Sequence, residues 1–299
     1  GILSFILPAS ILNVKIHKDI REFILKNTKI NKINYLGKIF KNVFSDILRI
    51  DLIKDENNKN YKIEINNKNK KYYINQNRFF NNPNFVFDVD LNDDFEIIIN
   101  KIYSQKHILI KGNFDFLLGI VTGDNKKYIS SVKLENYEEI YKGSDVDYFY
   151  LNKAKNYIFF DKKSFQQAAK KEKYQVKEKL VYKFISNKLI FAYDDKKSLT
   201  LNSANCLIPK NSNYNLKIVA ALLNSKVYQF IFKNKFNSIK ILKNDIEQLL
   251  LPTIDNETEK MIIDIVDKII NERDFGKYNK ILNEIIYKIF NLNTEEIRI

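Results

Sequence analysis

The chain has 299 residues, of which 45% are hydrophobic and 13% aromatic, so it can fill one large core or two ordinary ones and is not disordered throughout. Its formal net charge of +14 favours a polyanionic partner, with nucleic acid ahead of an anionic membrane. Lys, Asn and Ile are abundant, as in proteins of AT-rich genomes. Because codon bias alone raises the lysine content, the charge increases the expectation of nucleic-acid binding only about twofold.

Cysteine and histidine are too few for the common metal and redox sites. Cys206 is the single cysteine, which excludes a disulfide framework, and His17 and His107 are the only histidines. The apolar run of residues 2–12 is too short to span a bilayer, which takes about 20 residues, and it lacks the basic segment of a secretory signal. We therefore expect a cytoplasmic protein. Because the chain begins inside a strand-like run, we also expect it to be part of something longer.

The first elements predict alternating strands and helices. Residues 2–7 form a continuous apolar run that is typical of a strand buried on both faces. A helix is predicted over residues 14–25, a strand over 30–37 and a further strand pair over 44–55. This order implies an α/β layer with a parallel sheet, but only about half of a doubly wound domain is present.

Beyond residue 56 the pattern changes to hairpins, short strands and helices. No period of 20–50 residues recurs, which excludes a repeat protein. The remaining predicted elements are a polar hairpin over 61–80, a capped helix over 93–105, a block of strands over 178–195, a helix over 214–232 and two amphipathic helices over 256–290.

Residues 117–128, LLGIVTGDNKKY, have the composition of a phosphate-binding loop but not its spacing. A P-loop needs GxxxxGK[ST] between a strand and a helix, whereas Gly119 and Gly123 are too close together. The strand-like residues 128–134, and not a helix, are predicted to follow. The stretch therefore predicts a β-turn with Gly123 at a positive φ, supported by Asn125.

Paired carboxylates are the remaining catalytic or metal-binding candidates in the sequence. Such pairs are most often solvated turns and helix caps, and no nuclease arrangement of an Asp followed by Glu-x-Lys accompanies them. The pairs are Asp88 with Asp90, Asp93 with Asp94, and Asp194 with Asp195.

Several blocks, taken in order, resemble one protein family. They are GILSFILPASILNVKIHKDIREFIL (1–25, with Arg21), INYLGKIFKNVFSDILRIDLIK (33–54), LLGIVTGDNKKYI (117–129), IYKGSDVDYF (140–149), EKLVYKFISNKLIFAYDD (178–195), LLNSKVYQFIF (222–232), SIKILKNDIEQLLLP (238–252) and LNEIIYKIFNLNTEEIRI (282–299). In this order and spacing the chain resembles the C-terminal half of N6-adenine DNA methyltransferases of type II and type IIG restriction–modification systems, with a TaqI-like target-recognition domain.

The resemblance implies a C-terminal remnant of a Rossmann-like methyltransferase sheet, followed by a mixed α+β target-recognition domain and C-terminal helices. Residues 1–56 would be the end of the catalytic domain, and residues 57–107 a connecting hairpin and helix. Residues 108–252 would form the DNA specificity domain, and residues 253–299 a helical segment.

The catalytic motifs of that family are absent from this sequence. In the family, a glycine-rich S-adenosylmethionine motif and an NPPY-type motif lie N-terminal to the matching blocks, and neither occurs here. The resemblance implies that the intact enzyme uses S-adenosylmethionine, while this chain alone is inactive and holds no cofactor or metal. Enzymes that act on adenine N6 flip the base out of the duplex. The resemblance places Phe40 at the aromatic that stacks on the flipped adenine; Phe44 and an ordinary core role for Phe40 are the alternatives.

Basic and small polar side chains in the resembling blocks are the candidates for DNA contact. Lysine fixes register on phosphates, whereas Asn, Ser and Thr read base edges; any one lysine is as readily a solvated surface residue. The candidates are Thr122, Asn125, Lys126, Lys127, Lys183, Ser186, Asn187, Lys188, Lys240 and Lys243. Contacts to about seven phosphates would give a slope near −6 for log K against log salt.

Three functional hypotheses are open for such a sequence. The first is the target-recognition part of a site-specific adenine methyltransferase, with or without a fused restriction endonuclease, whose partners are double-stranded DNA and the N-terminal catalytic part of the same polypeptide. The second is a stand-alone specificity subunit that assembles with a separate catalytic chain. The third is a non-specific binder of nucleic acid or membrane surfaces, driven by charge alone.

Overall fold

The computed structural model describes residues 1–40, 45–55, 61–67, 70–89, 93–211, 214–236 and 239–298, so Phe44 and Asp90 lie outside the described residues. The chain divides into two compact units, Gly1–Asn100 and Lys101–Ile299. The expected mixture of α/β and α+β architecture is confirmed, with several small sheets and a set of C-terminal helices.

The first unit is built on a five-stranded sheet whose strand order is β1-β3-β2-β4-β5. Its strands are β1 (Ile2–Pro8), β2 (Thr28–Gly37), β3 (Ile47–Lys54), β4 (Lys62–Asn67) and β5 (Lys70–Asn75), and its helices are α1 (Lys18–Asn27), α2 (Arg78–Asn81) and α3 (Asp93–Ser104), which continues into the second unit. The predicted hairpin over 61–80 and the predicted helix over 93–105 are confirmed as β4–β5 and α3.

The expected parallel sheet is wrong for these strands. Strand β3 pairs antiparallel with both β1 and β2, and β2–β4 is the parallel pair. Strands β1 and β2, which α1 connects, therefore run in the same direction, but β3 inserts between them. Among the described residues of the predicted strand pair over 44–55 there is one strand, β3, and its antiparallel partners are β1 and β2.

Strand β1 is exposed and not buried on both faces as its apolar run predicted. It lies at the edge of the sheet, and its side chains Ile2, Leu3, Phe5 and Ile6 are 48–70% exposed. A continuous apolar run indicates that both faces of the strand are buried in the complete protein. The run does not indicate which other segment or chain buries them. Within the described residues of this unit, that cover is absent.

Arg21 holds the first unit together from the inside. Its side chain is completely buried, and its guanidinium donates hydrogen bonds of 2.9–3.2 Å to the backbone carbonyls of Ile11, Val14, Asn84 and Phe85. Desolvation lowers the pKa of Arg21 from its ordinary value. The carbonyl oxygens replace water around the charge, and so the arginine joins α1 to the 3-10 turns between β1 and α1 and to the 3-10 turn Pro83–Phe85 after β5.

The second unit contains two four-stranded sheets, β13-β9-β10-β8 and β12-β11-β14-β7, and a two-stranded pair, β15-β6. Its strands are β6 (His107–Leu109), β7 (Phe114–Leu117), β8 (Ile129–Ser130), β9 (Glu138–Tyr141), β10 (Tyr157–Ile158), β11 (Lys179–Lys183), β12 (Phe191–Asp194), β13 (Leu199–Thr200), β14 (Ala204–Pro209) and β15 (Leu250–Pro252). Its helices are α4 (Asn125–Tyr128), α5 (Lys171–Tyr174), α6 (Leu216–Asn224), α7 (Lys226–Lys235), α8 (Lys243–Ile246), α9 (Asn256–Glu272), α10 (Phe275–Ile289) and α11 (Thr294–Arg298).

Helices α6 and α7 replace the single helix predicted over 214–232. Ser225 interrupts it, because its backbone is extended (ψ 160°) and its Oγ accepts a hydrogen bond from the N–H of Tyr228, which caps α7. The predicted pair of C-terminal helices is confirmed as α9 and α10, and Asn283 of α10 accepts from the backbone N–H of Lys226 at 2.7 Å. Among the described helices, none is both long and apolar enough to cross a membrane.

Candidate nucleic-acid interface

The loop over residues 117–128 is a tight turn built against β13 and β14. Gly119 allows the backbone to approach Leu201 so closely that a Cβ at this position would lie 2.2 Å from the Leu201 carbonyl oxygen. Gly123 has φ +83°, which confirms the predicted positive-φ glycine. The Thr122 hydroxyl donates to Asn125 Oδ1 at 2.6 Å, and Thr122 is buried. This loop is therefore held in one shape by its own side chains.

The end of that loop is a single helical turn, α4, and the strand predicted over residues 128–134 follows it only as the two-residue strand β8. Asp124 caps the turn, because its Oδ1 accepts from the backbone N–H groups of Lys126 at 3.0 Å and Lys127 at 3.2 Å. The short strand β8 begins only at Ile129. Both lysines are exposed, and Lys127 Nζ lies 5.1 Å from the centre of the Tyr128 ring. The turn thus presents two cations to solvent.

A second group of predicted DNA-contact residues meets where the β11–β12 connection lies beside residues 239–243. The N–H of Ser186 donates to the Ile239 carbonyl at 3.1 Å, and the N–H of Ile241 donates to the Phe184 carbonyl at 2.8 Å. These bonds place Ile185 opposite Lys240 as an isolated antiparallel bridge. Sequence positions about 55 residues apart are thereby joined into one surface.

Six of the ten candidates belong to this second group, which we call the hairpin surface. Ser186 shapes it, since its Oγ donates to the Lys188 carbonyl at 2.7 Å and accepts from the Lys188 N–H at 3.0 Å. The exposed side chains beside it include the apolar Ile185 and Ile239, which are 60% and 72% exposed. The members of the hairpin surface are Lys183, Ser186, Asn187, Lys188, Lys240 and Lys243.

Two acidic residues, Asp245 and Glu247, lie close to Lys243 of this surface, in sequence and in space respectively. Asp245 lies in α8, two residues after Lys243, and burial raises the pKa of its carboxyl to about 6, although the N–H of Leu242 opposes the shift. Lys243 Nζ is 3.6 Å from Glu247 Oε1 and 5.6 Å from the centre of the Phe116 ring. The local charge therefore changes with pH in the range where proteins are usually handled.

Phe40 lies in the first unit, three residues after β2 ends. Its side chain is 49% exposed, which contradicts the alternative of an ordinary core phenylalanine. The neighbouring Ile39 is also 49% exposed. The position is therefore free to contact a ligand, and its predicted stacking role stays a prediction.

Two of the paired carboxylates, Asp88 and Asp194, form ion pairs within the fold. Asp194 is buried and forms an ion pair with the fully buried Lys179, and Asp88 forms one with Arg78 at 3.1 Å, although burial raises the pKa of Asp88. Asp194 is thus neither a solvated turn residue nor a catalytic base. The described residues contain no cluster of three or more His, Cys, Asp or Glu side chains that suits a metal ion.

Two cationic residues that the sequence patterns did not single out lie next to the hairpin surface. Lys226 and Lys233 of α7 line a cavity of about 610 Å³ together with Asn187 and Lys188. The spacing of seven residues within an amphipathic helix is the signal that places both on one face. The sequence pattern of the helix, however, does not indicate that the hairpin surface lies next to that face.

Comparison with known proteins finds a family match within the second unit. Residues 138–252 match the TaqI-like C-terminal specificity domain. The type II methyltransferase M.VspI of Vibrio sp. (strain 343) is 31% identical over 150 residues, which are 49% of this chain and 36% of that protein. The chain thus spans about a third of the length of its curated relative. The predicted resemblance to restriction–modification methyltransferases with a TaqI-like domain is confirmed.

Solved structures agree on the fold. The type IIL restriction–modification enzyme MmeI in complex with DNA superposes with a TM-score of 0.58, at 11% identity, over 99% of this chain and 48% of that one. A nuclease-deletion mutant of the type ISP restriction–modification enzyme LlaGI, in complex with a DNA substrate mimic, gives a TM-score of 0.51 at 12% identity, over 91% of this chain and 35% of that one.

Proposed function

Because the C-terminal half of the chain carries a TaqI-like C-terminal specificity domain, we propose that the chain recognises the DNA target of a site-specific methyltransferase in a restriction–modification system. The observation that carries the proposal is the hairpin surface, which places lysine, serine and asparagine side chains from two distant segments side by side. Lysines there would neutralise phosphates and Asn187 would read a base edge in the major groove.

The loop over residues 119–128 is proposed as a second contact. It is stiff, because Gly119 is packed against Leu201 and Asp124 caps α4, so Lys126 and Lys127 are presented without a large loss of backbone entropy on binding. The Thr122 hydroxyl donates a hydrogen bond to the Asn125 side chain, and this bond shapes the loop in the absence of DNA. Their proposed role in DNA binding is therefore to position the two lysines.

Methylation of adenine N6 is the proposed reaction of the intact enzyme, with S-adenosylmethionine as methyl donor. Because the family's glycine-rich and NPPY motifs do not occur in this sequence, no residue of this chain is proposed to bind that donor. Among the described glycines, the one with the closest backbone neighbour is Gly119, and the chain's own Leu201 fills the space in front of it. The donor and the chemical step belong to another part of the enzyme. In that division of labour, this chain holds the duplex and Phe40 stacks on the flipped adenine.

A catalytic part is the proposed partner of the first unit. The exposed side chains of β1 and the exposed apolar residues Ile16 and Phe23 near or within α1, at 82% and 61% exposure, form surfaces that avoid water. Strand β1 also has a free edge, which is a template for pairing with another strand. A catalytic domain encoded in the same polypeptide would cover the exposed apolar side chains and pair with the free edge of β1.

The second candidate is a specificity subunit that assembles with a separate catalytic chain. The same exposed edge of β1 favours it, because a separate chain covers the edge as well as a linked domain does. A glycine-rich motif and an NPPY motif encoded directly upstream of residue 1 would decide for the single polypeptide. A separate gene for those motifs would decide for the subunit.

Selection from a randomised duplex library tests the proposed function and does not require the target sequence in advance. The chain is incubated with the library, and bound duplexes are recovered and sequenced. We expect one motif to be enriched. Recovered sequences that match the input library would contradict target recognition. Methylome sequencing of cells that express the complete reading frame then tests the reaction, with N6-methyladenine expected within the selected motif and cytosine methylation as the contrary result.

A further inference from the structure

The cavity between the hairpin surface and α7 is positively charged and holds no compensating acid. It is lined by Lys188, Lys226 and Lys233, and none of the described residues that line it is acidic. Another cavity of similar size in the same unit, about 650 Å³ beside Tyr141 and Tyr150, is lined by three acidic and three basic side chains. The charge of the first cavity is therefore not a general result of the lysine-rich composition.

None of the three lysines is committed to a carboxylate. In the part of the chain that the structure describes, no ion pair includes Lys188, Lys226 or Lys233, and all three are exposed. Like charges gathered without a partner repel one another, and an anion that binds between them removes that repulsion. The arrangement favours an anionic ligand.

The geometry of the cavity is fixed by hydrogen bonds that do not involve the lysines. Gln229 of α7 accepts from the N–H of Leu189 at 2.9 Å and donates to its carbonyl at 2.8 Å, and Asn224 forms a matching pair with Phe191 at 2.9 and 2.8 Å. These four bonds join the β11–β12 connection to α6 and α7. Lys226 and Lys233 lie two helical turns apart on one face, about 10 Å along the axis.

We propose that this cavity binds phosphodiester groups of the DNA backbone next to the bases read by the hairpin surface, with Lys226 and Lys233 as the phosphate contacts. The inference rests on the proposed function and adds two contact residues and a ligand class to it. A phosphate group suits the site because lysine binds it as a point charge and requires no planar partner. Contacts of this kind raise affinity for all sequences and specify none.

The test measures duplex affinity at several salt concentrations for the wild type and for the double variant Lys226→Ala, Lys233→Ala. The matched control is Lys260→Ala, Lys268→Ala, which removes the same charge from exposed positions of α9 that do not line the cavity. We expect the cavity variant to lose about tenfold or more in affinity, equally for selected and scrambled duplexes, and the magnitude of its salt slope to fall by about two. The control variant should keep the wild-type slope.

The outcomes separate this inference from the proposed function. A wild type that prefers its selected duplex, together with a cavity variant that behaves like the control, would overturn the cavity as a phosphate site and leave target recognition standing. A wild type that binds duplexes without preference would overturn target recognition, while the salt slopes still decide the cavity. A wild type that binds no duplex would overturn both. Circular dichroism of each variant establishes that it is folded.

Lysine acetylation provides a second readout that needs no substitution. We expect a bound duplex to protect Lys226 and Lys233 from an amine-reactive acetylating reagent, while Lys260 reacts as in the free chain. The same reaction in inorganic phosphate distinguishes the source of the anion. Protection by phosphate but not by duplex would assign the cavity to a small anion and overturn the proposal.

Discussion

Lys179 Nζ lies 2.5 Å from Asp194 Oδ2, and both side chains are buried in the sheet β12-β11-β14-β7 of the second unit. The ammonium also donates to the Tyr174 carbonyl at 2.7 Å, and Asp194 accepts from the N–H and hydroxyl of Ser198 at 3.0 and 2.8 Å. The pair thus connects β11, β12 and the turn before β13, at the end of the β11–β12 hairpin opposite to the connection that forms the hairpin surface. Its role is to hold the two strands and that turn together.

Lys179→Met is expected to destabilise the second unit by about 3–5 kcal/mol, because it leaves the buried Asp194 carboxylate without its cation. In urea unfolding, the double variant Lys179→Met, Asp194→Asn should lose less than the sum of its single variants, since it removes both charges. A loss below about 1 kcal/mol for Lys179→Met would contradict the structural role of the pair.

Gly119→Ala is expected to prevent proper folding of the loop over residues 119–128. The new Cβ would lie 2.2 Å from the Leu201 oxygen, which accepts a hydrogen bond from the Ala204 N–H at 2.7 Å, and 2.8 Å from the backbone oxygen of Ala204. We expect a loss of more than about 3 kcal/mol in unfolding free energy and of duplex binding. Gly276→Ala in α10, where Asp274 Oδ1 is the nearest neighbour at 3.3 Å, is the control and should be close to neutral. Equal behaviour of the two variants would refute the close approach.

Asp245→Asn tests one of the two acidic residues close to Lys243 of the hairpin surface. The pKa of Asp245 is raised to about 6 in the folded chain, above the ordinary value of about 4 in the unfolded chain. The folded state therefore binds the proton more tightly, and the ionised carboxyl destabilises it above pH 6, an effect that disappears as the pH falls towards 4. Asp245→Asn should raise the free energy of unfolding at pH 7.5 and raise it much less at pH 4.5. The exposed Asp264→Asn is the control, and a pH-independent difference for Asp245→Asn would refute burial of the ionised carboxyl as the cause.

Phe40→Ala tests the stacking role in the complete enzyme. With 2-aminopurine at the target adenine, base flipping is expected to increase fluorescence, and loss of the aromatic ring should reduce that increase because the flipped base is held less tightly. Phe159→Ala, at an exposed phenylalanine of the second unit, should leave the signal unchanged. An undiminished signal in Phe40→Ala would remove this residue from base flipping.

Local sequence rules predicted the features that depend on neighbouring residues. Gly123 at a positive φ, the β4–β5 hairpin and the amphipathic helices α9 and α10 follow from turn chemistry and periodicity. The helix break at Ser225 also depends on neighbouring residues. The apolar residues continue on both sides of Ser225, however, so the periodicity predicts one uninterrupted helix. None of these elements depends on a distant contact for its type.

The local sequence rules did not predict the features that depend on contacts between distant segments. The insertion of β3 between β1 and β2 is decided by backbone pairing, and a strand pattern does not name its neighbour. Lys179 has the sequence surroundings of a surface lysine, and only Asp194, 15 residues later, makes its burial tolerable. Lys226 and Lys233 become candidate phosphate contacts only because they line the same cavity as the hairpin-surface residues Asn187 and Lys188.

The affinity of the chain for its selected duplex, relative to a scrambled duplex of equal length and composition, tests the central claim most directly. Both titrations are performed at about 0.15 M salt, where exposed charges are screened beyond about 8 Å and non-specific attraction is reduced. Target recognition predicts a preference of at least tenfold, which corresponds to about 1.4 kcal/mol. Equal affinities for the two duplexes would contradict it and leave binding by charge alone.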